Sequence, residues 1–505
     1  MSYIGKQPFE TPSSFTAVAS GALSNGDLVC VNSDGTVSVA ASTGLATDPA
    51  YGDPVEFETG NTYYTSSAYD TQNDKIVIAY QDDSNIDYGT AVVGTVSGDT
   101  ITFGTPVIFI SSDTIYTRTV YDSNAQKVVI AFADNTNQND GKAVVGTVSG
   151  TSISFGTVVT FANISSGVIY PNPSYDSSAQ KVLMMYTNSN AYNGIYNTMY
   201  GKVGTISGTS ISFGSEAHLV NNASCLDPSI AYDSNSNKHV AVYEDSTNSE
   251  GKAVVLTVSG TSVSAGTPVA FSSTEIGPPA VGFDSTANKM VIAYRDVNNS
   301  NYGTGIVGTV SGTSISFGTA SVFHSNYTTP QVNVYAEAQD LTAIWCFRIN
   351  VLIDGVTTTR SAFFEATLSG TSLTYGDAQY QNDTQSLPTN GTWASYDPDQ
   401  EKVILSYRGI AADGYDGFAQ VYSPTGDGPN IANFIGIANK SAVDGGDASI
   451  QLTGSVDSSQ SGLTAGQKYY VQSNNTLSTT PDAFATVVAG VALSAAEIAI
   501  DTGRD

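Results

Sequence analysis

The sequence is poor in basic residues. Lys and Arg together number 18, against 46 Asp and Glu, which gives a formal net charge of −28 at pH 7. Nucleic-acid binding requires a basic surface that displaces counterions from phosphate, and this sequence has no basic stripe. An anionic membrane surface is disfavoured for the same reason. We expect the acidity to keep a sheet-rich surface soluble.

Residue types that carry catalysis or bind metals are also scarce. The cysteines are few, odd in number and unrelated in position, which excludes a disulfide framework: Cys30, Cys225 and Cys346. The histidines are too scattered for a triad or a zinc site: His218, His239 and His324. No convergent carboxylate pair can be placed either. The sequence therefore predicts a protein that is not an enzyme, with no catalytic residues and no cofactor.

Long apolar runs are missing as well. None is long enough to span a bilayer, so no membrane insertion is expected. Residues 1–8 lack the apolar core of a signal peptide. We expect a chain that is made in a cytoplasm and used elsewhere without conventional secretion.

What the sequence does have is a block of about fifty residues that recurs along most of the chain. In six copies an aromatic residue precedes an Asp, and a Lys follows that Asp by five positions. These copies are Tyr69-Asp70 with Lys75, Tyr121-Asp122 with Lys127, Tyr175-Asp176 with Lys181, Tyr232-Asp233 with Lys238, Phe283-Asp284 with Lys289, and Tyr396-Asp397 with Lys402. A degenerate copy around Tyr335 keeps the spacing but lacks both the Asp and the Lys. The Asp is predicted to cap a tight turn, with the Lys across from it.

Each copy has the pattern of four short strands. The first ends at the aromatic-Asp pair, the second is rich in β-branched residues, and the third ends at a Ser-Gly hairpin turn. The fourth is predicted to begin at an aromatic-Gly pair such as Phe103-Gly104 or Phe155-Gly156. Repeats of this length, made of short strands, are typical of a β-propeller.

The two ends of the repeat region complement each other. Residues 51–57 match the fourth-strand pattern before the first complete copy, whereas the last copy stops after its third strand near Pro424. We therefore predict an all-β protein with a seven-bladed β-propeller at residues 49–426, closed by this N-terminal strand. Residues 1–48 and 427–505 also contain strand patterns. They are predicted to form one small β anchoring domain into which the propeller is inserted.

The connections between second and third strands should open on one face of the ring. They are long and rich in Asp, Asn and Tyr, so function is expected there. In three consecutive copies the residue six before the Asp is also a tyrosine, near the predicted channel mouth. Aromatic faces stack on sugar rings, and Asp and Asn bind hydroxyls. The predicted ligand-binding residues are Tyr64, Tyr116, Tyr170, Tyr88, Tyr196, Tyr302 and Tyr415; simple blade packing is the alternative explanation.

One connection, residues 134–140, resembles an oxygen-rich calcium loop. Its candidate ligands are Asp134, Asn137 and Asp140. The loop lacks the Glu that closes an EF-hand, and neighbouring copies differ in their acidic positions. It is the single calcium candidate, and no other metal site is predicted.

Three segments resemble parts of known proteins. Residues 2–8 are similar to the N-termini of tail-fibre-like and other virion proteins of marine bacteriophages. Residues 462–473, 477–480 and 488–494 look like a small β module found in such proteins, and the repeats resemble uncharacterised repeats of the same kind. The resemblance implies a bacteriophage virion structural protein and carries over no binding residue.

Two functions follow as expectations. In the first, the small domain docks on the phage tail and the ring presents its variable face to a host-surface glycan or protein. In the second, the small domain docks on the capsid, and the protein is a decoration or knob protein with a mainly structural or weakly adhesive role. The expected partners are other virion proteins and a host glycan. Homo-oligomerisation, the tail or capsid location and the identity of the ligand stay open.

Overall fold

The computed structural model describes residues 14–19, 22–31, 37–39, 50–163, 167–188, 197–221, 223–328, 332–336, 341–353, 356–381, 392–400, 402–409, 414–424, 434–443, 445–452, 455–471, 476–479 and 488–500. These residues form antiparallel sheets and two short 3-10 turns, Asp83–Asn85 and Asn135–Asn137, without an α-helix. The all-β prediction is thus confirmed. No helix in this described part could cross a membrane. The chain divides into two compact units, residues 50–424, and residues 1–49 with 425–505.

Residues 50–424 form one nine-stranded and five five-stranded sheets, and the repeated block supplies their strands. First strands are Thr62–Asp70, Val107–Asp122, Val168–Asp176, Cys225–Asp233, Ala280–Asp284, Val332–Ala336 and Thr392–Asp397. Second strands are Lys75–Asp82, Lys127–Asp134, Lys181–Asn188, Lys238–Asp245, Lys289–Asp296, Leu341–Ile353 and Lys402–Arg408. Third strands are Tyr88–Ser97, Asp140–Ser149, Met199–Ser207, Glu250–Ser259, Tyr302–Ser311, Val356–Ser369 and Gly417–Ser423. The nine-stranded sheet joins two copies, because Val107–Asp122 ends one and begins the next.

The fourth strand differs from the prediction. It begins three residues before the aromatic-Gly pair, is interrupted after the aromatic residue, and then resumes. Its first segments are Ala50–Tyr51, Thr100–Phe103, Ser152–Phe155, Ser210–Phe213, Ser262–Ala265, Ser314–Phe317 and Ser372–Tyr375. The second segments are Val55–Glu58, the start of Val107–Asp122, Val159–Ala162, Ala217–Val220, Val269–Ser272, Ser321–Tyr327 and Gln379–Tyr380. The next turn closely approaches this interruption, because a Cβ on the glycine of Phe155-Gly156 would overlap the carbonyl oxygen of Thr209.

The second strands carry the core. Val128, Ile130 and Phe132 are fully buried, as their β-branched and aromatic character predicts. The repeated Asp caps its turn: Ala125 N donates to Asp122 Oδ1 at 2.8 Å, and Ala179 N donates to Asp176 Oδ1 at 2.8 Å. The lysine is the register partner of this Asp, for example Lys127 opposite Asp122. The predicted turn geometry is therefore confirmed.

The last repeated sheet is completed by the N-terminal strand. Ala50–Tyr51 and Val55–Glu58 both pair antiparallel with Gly417–Ser423, as the sequence predicts. Lys402 Nζ donates to Asp99 Oδ1 at 3.1 Å and to Ser423 Oγ at 2.6 Å. The Ser423 hydroxyl and the Lys402 ammonium hold the pKa of Asp99 below its usual range. These bonds join the last sheet to the first.

The first strands contact one another in sequence order, and the last of them, Thr392–Asp397, contacts the first, Thr62–Asp70. Hydroxyl groups link neighbouring first strands. Ser66 Oγ lies 3.0 Å from Thr119 Oγ1, and Ser67 Oγ lies 2.8 Å from Ser395 Oγ. The seven first strands thus follow one another in a closed order of contacts.

The second unit contains two five-stranded sheets, of which one combines strands from both ends of the chain and the other uses C-terminal strands alone. One consists of Ser14–Val18, Leu28–Val31, Val37–Val39, Phe434–Ala438 and Asp447–Gln451. The other consists of Val456–Asp457, Lys468–Val471, Leu477–Ser478, Val488–Ala492 and Ile498–Ile500. Leu28 and Cys30 share a buried cluster with Ile437 and Ile498, so the two ends of the chain pack into one core.

Candidate functional site

Four consecutive first strands contain a bulge at the same place. The pairing register shifts between Tyr63 and Ser66, and at the equivalent points of the next three copies. The bulged residues have positive φ angles: Tyr64 at 50°, Tyr116 at 56°, Tyr170 at 50° and Asp227 at 44°. A left-handed conformation costs a residue with a side chain about 1–2 kcal/mol. Strain of this kind occurs where the surrounding structure fixes a side chain in place.

The bulges bring the three predicted tyrosines together. The ring centroids of Tyr64 and Tyr116 lie 5.2 Å apart, and those of Tyr116 and Tyr170 lie 5.3 Å apart, in tilted contacts. All three side chains are half-buried. The pKa of each hydroxyl is raised, mainly by burial. All three hydroxyls therefore stay neutral at physiological pH. The three rings thus form a continuous series of aromatic contacts.

Residues that the sequence did not single out extend this surface at both ends. Tyr63 lies next to Tyr64, with ring centroids 6.3 Å apart. The Arg408 guanidinium lies 4.2 Å from the ring centre of Tyr63 and 4.0 Å from that of Tyr415. At the other end Asp227 takes the bulge position, and its carboxylate faces the Tyr170 hydroxyl. We call this set the aromatic arc: Tyr415, Arg408, Tyr63, Tyr64, Tyr116, Tyr170 and Asp227.

The other predicted tyrosines are placed differently. Tyr415 is 38% exposed and belongs to the arc. Tyr88 and Tyr302 begin third strands, where they are partly buried and paired with Asp82 and Asp296. Tyr196 lies outside the described residues. The structure therefore brings four of the predicted tyrosines together and leaves two in separate third strands.

Acidic groups cluster beyond Asp227. Burial, then the nearby charges of Asp227 and Glu275, raise the pKa of Glu244 to about 7, and the Arg295 guanidinium partly opposes this. Burial likewise raises the pKa of Asp227, although the Tyr170 hydroxyl and the Arg118 and Arg295 guanidinium groups oppose it. Arg295 Nη1 also donates to the Tyr327 hydroxyl at 2.9 Å. This end of the arc offers two carboxylates whose pKa values are raised, and that of Glu244 is raised to about 7.

The calcium candidate has a different arrangement. Asp134 caps a 3-10 turn, with Thr136 N donating to Oδ1 at 3.1 Å and Asn137 Nδ2 to Oδ2 at 2.7 Å. Lys142 Nζ forms an ion pair with the same Oδ2. The Lys142 and Asn137 hydrogen bonds hold the pKa of Asp134 below its usual range against the effect of burial. A lysine ammonium thus stands where a bound cation would have to lie.

One histidine meets both a serine and an aspartate. His239 Nδ1 lies 3.0 Å from Ser174 Oγ, and His239 Nε2 lies 3.6 Å from Asp176 Oδ2. His239 is 0% exposed, Ser174 7% and Asp176 2%. Burial lowers the pKa of His239, with Asp176 opposing this. Because the group is enclosed between two sheets, it links those sheets and offers no approach to a substrate.

A cavity of about 580 Å³ lies at the other end of the first strands, beside the capped turns. Six first strands line it, and turn residues such as Thr71, Ser177 and Ser234 surround its opening. Arg118 and Trp393 are part of its lining, and the arc tyrosines are not. The sequence analysis missed this cavity because it looked for function in the long connections. The sequence did contain a signal for this cavity, at the position four residues before the repeated Asp. Three copies have a small residue there, Ser66, Ser229 and Ala280, whereas two copies have the large residues Arg118 and Trp393.

No family model and no curated protein matches this sequence. Similar solved structures include a protein of unknown function from Dyadobacter fermentans DSM 18053, 10% identical, with 80% of this chain and 98% of that chain covered and a TM-score of 0.39. They also include AofleA from Arthrobotrys oligospora, 9% identical, with 72% and 96% covered and a TM-score of 0.40. A third is a protein from Lactobacillus plantarum, 10% identical, with 73% and 96% covered and a TM-score of 0.41. At these TM-scores a likeness establishes neither fold nor function.

Proposed function

We propose that residues 50–424 form a seven-bladed β-propeller closed by the N-terminal strand. The closed order of contacts among the first strands supports this arrangement. Pairing of Ala50–Tyr51 with Gly417–Ser423 supports closure by strand exchange, which leaves no open sheet edge at the junction. In this proposal residues 1–48 and 427–505 form the small β domain into which the propeller is inserted.

We further propose that the protein is a non-enzymatic bacteriophage virion surface protein whose propeller attaches to a glycan or protein of the host surface. The aromatic arc is the observation that carries the attachment role. It joins π faces, a guanidinium and a carboxylate along one edge of four neighbouring first strands and the last sheet. The virion role comes from the sequence resemblance of residues 2–8 and 462–494. In this proposal the small domain anchors the protein to other virion proteins.

The chemistry of the arc suits a sugar. The C–H faces of a pyranose stack on tyrosine rings, while its hydroxyls bind carboxylate, guanidinium and phenol groups. Tyr64, Tyr116 and Tyr170 present their rings in series, which suits several adjoining sugar units rather than one. The strained bulges hold these rings before any ligand arrives, so little ordering is needed on binding.

A glycan array tests this role. The full-length protein and two variants, Tyr116→Leu and Tyr175→Leu, are compared on host-derived glycans. Leu at position 116 removes the central ring of the arc and should abolish binding. Tyr175 belongs to the same family of strands but lies at the turn end, where its hydroxyl accepts from Asn124 N at 3.3 Å, so its loss should leave glycan binding intact. Equal binding by wild type and Tyr116→Leu would refute the arc as the attachment site.

One observation favours the capsid decoration or knob role instead. The arc tyrosines contact one another, so part of each ring is already covered by its neighbours. A protein with a mainly structural role would need no more than this packing. Immunogold electron microscopy of purified particles separates the two roles, since an attachment protein should label tail tips and a decoration protein the capsid surface. Absence of label from the particles would contradict both.

A further inference from the structure

The cavity at the turn end of residues 50–424 is a second candidate site, and no arc residue lines it. It has a volume of about 580 Å³, within the range of pockets that hold a small molecule. Trp393 and Arg118 lie deepest along the first strands, and Tyr121, Tyr232 and Tyr396 lie nearer the turns. The cavity is thus lined by a guanidinium and an indole at one end and by aromatic side chains toward its opening.

Arg118 is a cation that makes no ion pair within the described residues. Its guanidinium carbon lies 4.8 Å from the Trp393 ring centre, and Nη1 donates to the Thr117 carbonyl at 2.9 Å. Its Nε is buried with no hydrogen-bond partner. None of the ion pairs among the described residues includes Arg118. Tyr170, Asp227, Tyr116 and Tyr64 of the arc act on Arg118 electrostatically, and Asp227 is the acidic residue among them.

This arrangement is unfavourable without a ligand. Burial lowers the pKa of Arg118 to about 10, so the side chain stays charged at neutral pH. A buried charge is normally paired, because its lost hydration must be replaced by an opposite charge and hydrogen bonds. The chain has 46 acidic residues, yet none is placed as an ion-pair partner of Arg118 in the described part of the structure. An anion supplied by a ligand would complete the site.

The rest of the lining narrows the ligand class. A guanidinium binds a carboxylate through two parallel hydrogen bonds. Trp393 holds the guanidinium plane by stacking and also offers a face to a ring-shaped ligand. The tyrosines near the opening, together with Thr71 and Ser177, suit a ligand that has both C–H faces and hydroxyl groups. A carboxylate on a hydroxylated ring meets all of these requirements.

We propose that this cavity binds a carboxylate-bearing sugar of the hexuronate type, with its carboxylate on Arg118 and its ring against Trp393. The carboxylate accepts hydrogen bonds from the part of the guanidinium that lines the cavity, which replaces hydration that Arg118 loses on folding. The cavity lining contains none of the arc tyrosines, but Arg118 lies within electrostatic range of Tyr170, Asp227, Tyr116 and Tyr64.

The test is titration calorimetry on the full-length protein. D-glucuronate, its neutral methyl ester and D-glucose are compared against wild type, Arg118→Met and Trp393→Leu. Wild type should bind glucuronate with saturable heat. Its affinity for the two neutral sugars should be lower by a factor of about ten or more, which is the scale of a charge-assisted hydrogen-bonded pair. Arg118→Met keeps the side-chain stem but not the charge and should lose this preference. Trp393→Leu should lower the affinity for all three sugars.

The stability of the unliganded protein gives a second readout. Because Arg118 is a partly buried cation with no ion pair in the described residues, Arg118→Met should melt at a higher temperature than wild type without ligand. Glucuronate should raise the melting temperature of wild type and leave that of Arg118→Met unchanged. If Arg118→Met does not fold, Arg118→Lys replaces it, since Lys keeps the charge but not the planar fork and should bind glucuronate more weakly than wild type.

The proposal is overturned if wild type gives no saturable heat with glucuronate, if the methyl ester binds as well as the acid, or if removing the guanidinium leaves affinity unchanged. Tyr116→Leu separates this result from the attachment role. It should keep glucuronate binding in the cavity even where it abolishes binding on a glycan array. Loss of glucuronate binding in Tyr116→Leu would contradict the independence of the two sites.

Discussion

The glycine of the aromatic-Gly pair is the most demanding single residue of the repeat. In six copies a Cβ on this glycine would overlap the carbonyl oxygen of a turn in the following copy. The pairs are Gly52 with Asp99, Gly104 with Thr151, Gly156 with Thr209, Gly214 with Thr261, Gly266 with Thr313 and Gly318 with Thr371. Gly376 is the exception, since the nearest atom to its Cβ would be Glu365 O at 3.8 Å. The last copy has no turn there, because its third strand ends at Ser423 and its fourth begins at Ala50.

This difference gives a matched pair of variants. Gly156→Ala should destabilise the protein by about 2–3 kcal/mol, because backbone must move to accept the methyl group. Gly376→Ala should change stability by less than about 0.5 kcal/mol, as is usual at an exposed and uncrowded position. Urea denaturation of both variants checks this. Equal losses would show that glycine is required for its backbone conformation and not for the close approach.

Single residues show where sequence reasoning succeeds and where it ends. The capping role of Asp122 and its copies was predictable, since Asx turns are local and the spacing to Lys127 repeats. The left-handed conformation of Tyr64, Tyr116 and Tyr170 was not, because tyrosine has no preference for it and tertiary contacts impose it. The spacing did identify these three tyrosines as neighbours. Arg118 and Trp393 were missed because their meeting depends on two copies far apart in sequence.

At the scale of the strand, the N-terminal segment replaces a missing element of the last sheet. Phe57 packs on Gly417 as Phe161 packs on Gly141 and Phe271 on Gly251. The ring of Phe57 lies in a cluster with Tyr80 and Ala419, so it joins the last sheet to the first. The N-terminal strand Val55–Glu58, which precedes the first complete copy, thus contributes to the buried core between the last sheet and the first.

Truncation of this aromatic residue should therefore cost as much as truncation within a complete copy. Phe57→Ala and Phe161→Ala are each expected to lower the free energy of unfolding by about 3–5 kcal/mol, the usual loss for a buried Phe. Chemical denaturation of the full-length protein measures both. A loss at Phe57 of less than about 1 kcal/mol would mean that the N-terminal strand is an accessory to the last sheet, since surface positions behave in that way.

Strand order and pairing were largely predictable, whereas strand limits were not. Alternation and turn residues identified the first three strands of each copy and the segment that completes the last sheet. The start of the fourth strand was predicted three residues too late, because the aromatic-Gly pair resembles a strand start. In the structure this pair marks the break between two segments, such as Ser152–Phe155 and Val159–Ala162. The next turn, which lies about fifty residues on, packs against this break, and a local pattern does not show such a contact.

At the scale of the whole protein, one acidic cluster makes stability depend on pH. Glu244 has a pKa raised to about 7 by burial and by Asp227 and Glu275, with Arg295 opposing. Between the ordinary glutamate pKa and about 7, the folded protein binds more protons at this site than the unfolded chain does, so stability falls as pH rises through that window. Glu244→Gln should remove this contribution. Its melting temperature should rise relative to wild type from pH 5 to pH 7.

A second variant identifies the cause. Asp227→Asn removes one of the two negative charges that act on Glu244 and should move the pH-dependent loss of stability to lower pH. Scanning calorimetry across this pH range checks both variants. If wild type and Glu244→Gln keep the same difference in melting temperature at every pH, Glu244 does not titrate in this window.

The proposed ring makes its strongest prediction about where the chain can be cut. Ser423 pairs with Ala50 in the same way as Ser149 pairs with Ser152 across the two-residue Gly150-Thr151 turn. This equivalence permits a circular permutant of residues 50–424. In the permutant, Gly-Thr joins Ser423 to Ala50, and the chain is opened between Gly150 and Thr151. We expect this permutant to fold. The new turn would lie against Gly376 and the opened turn would no longer press on Gly104. Gly376→Ala should become destabilising by about 2–3 kcal/mol in the permutant, and Gly104→Ala should lose most of its cost. If Gly104→Ala still costs more stability than Gly376→Ala in the permutant, the last sheet is not equivalent to the others, and the closed seven-bladed ring would be wrong.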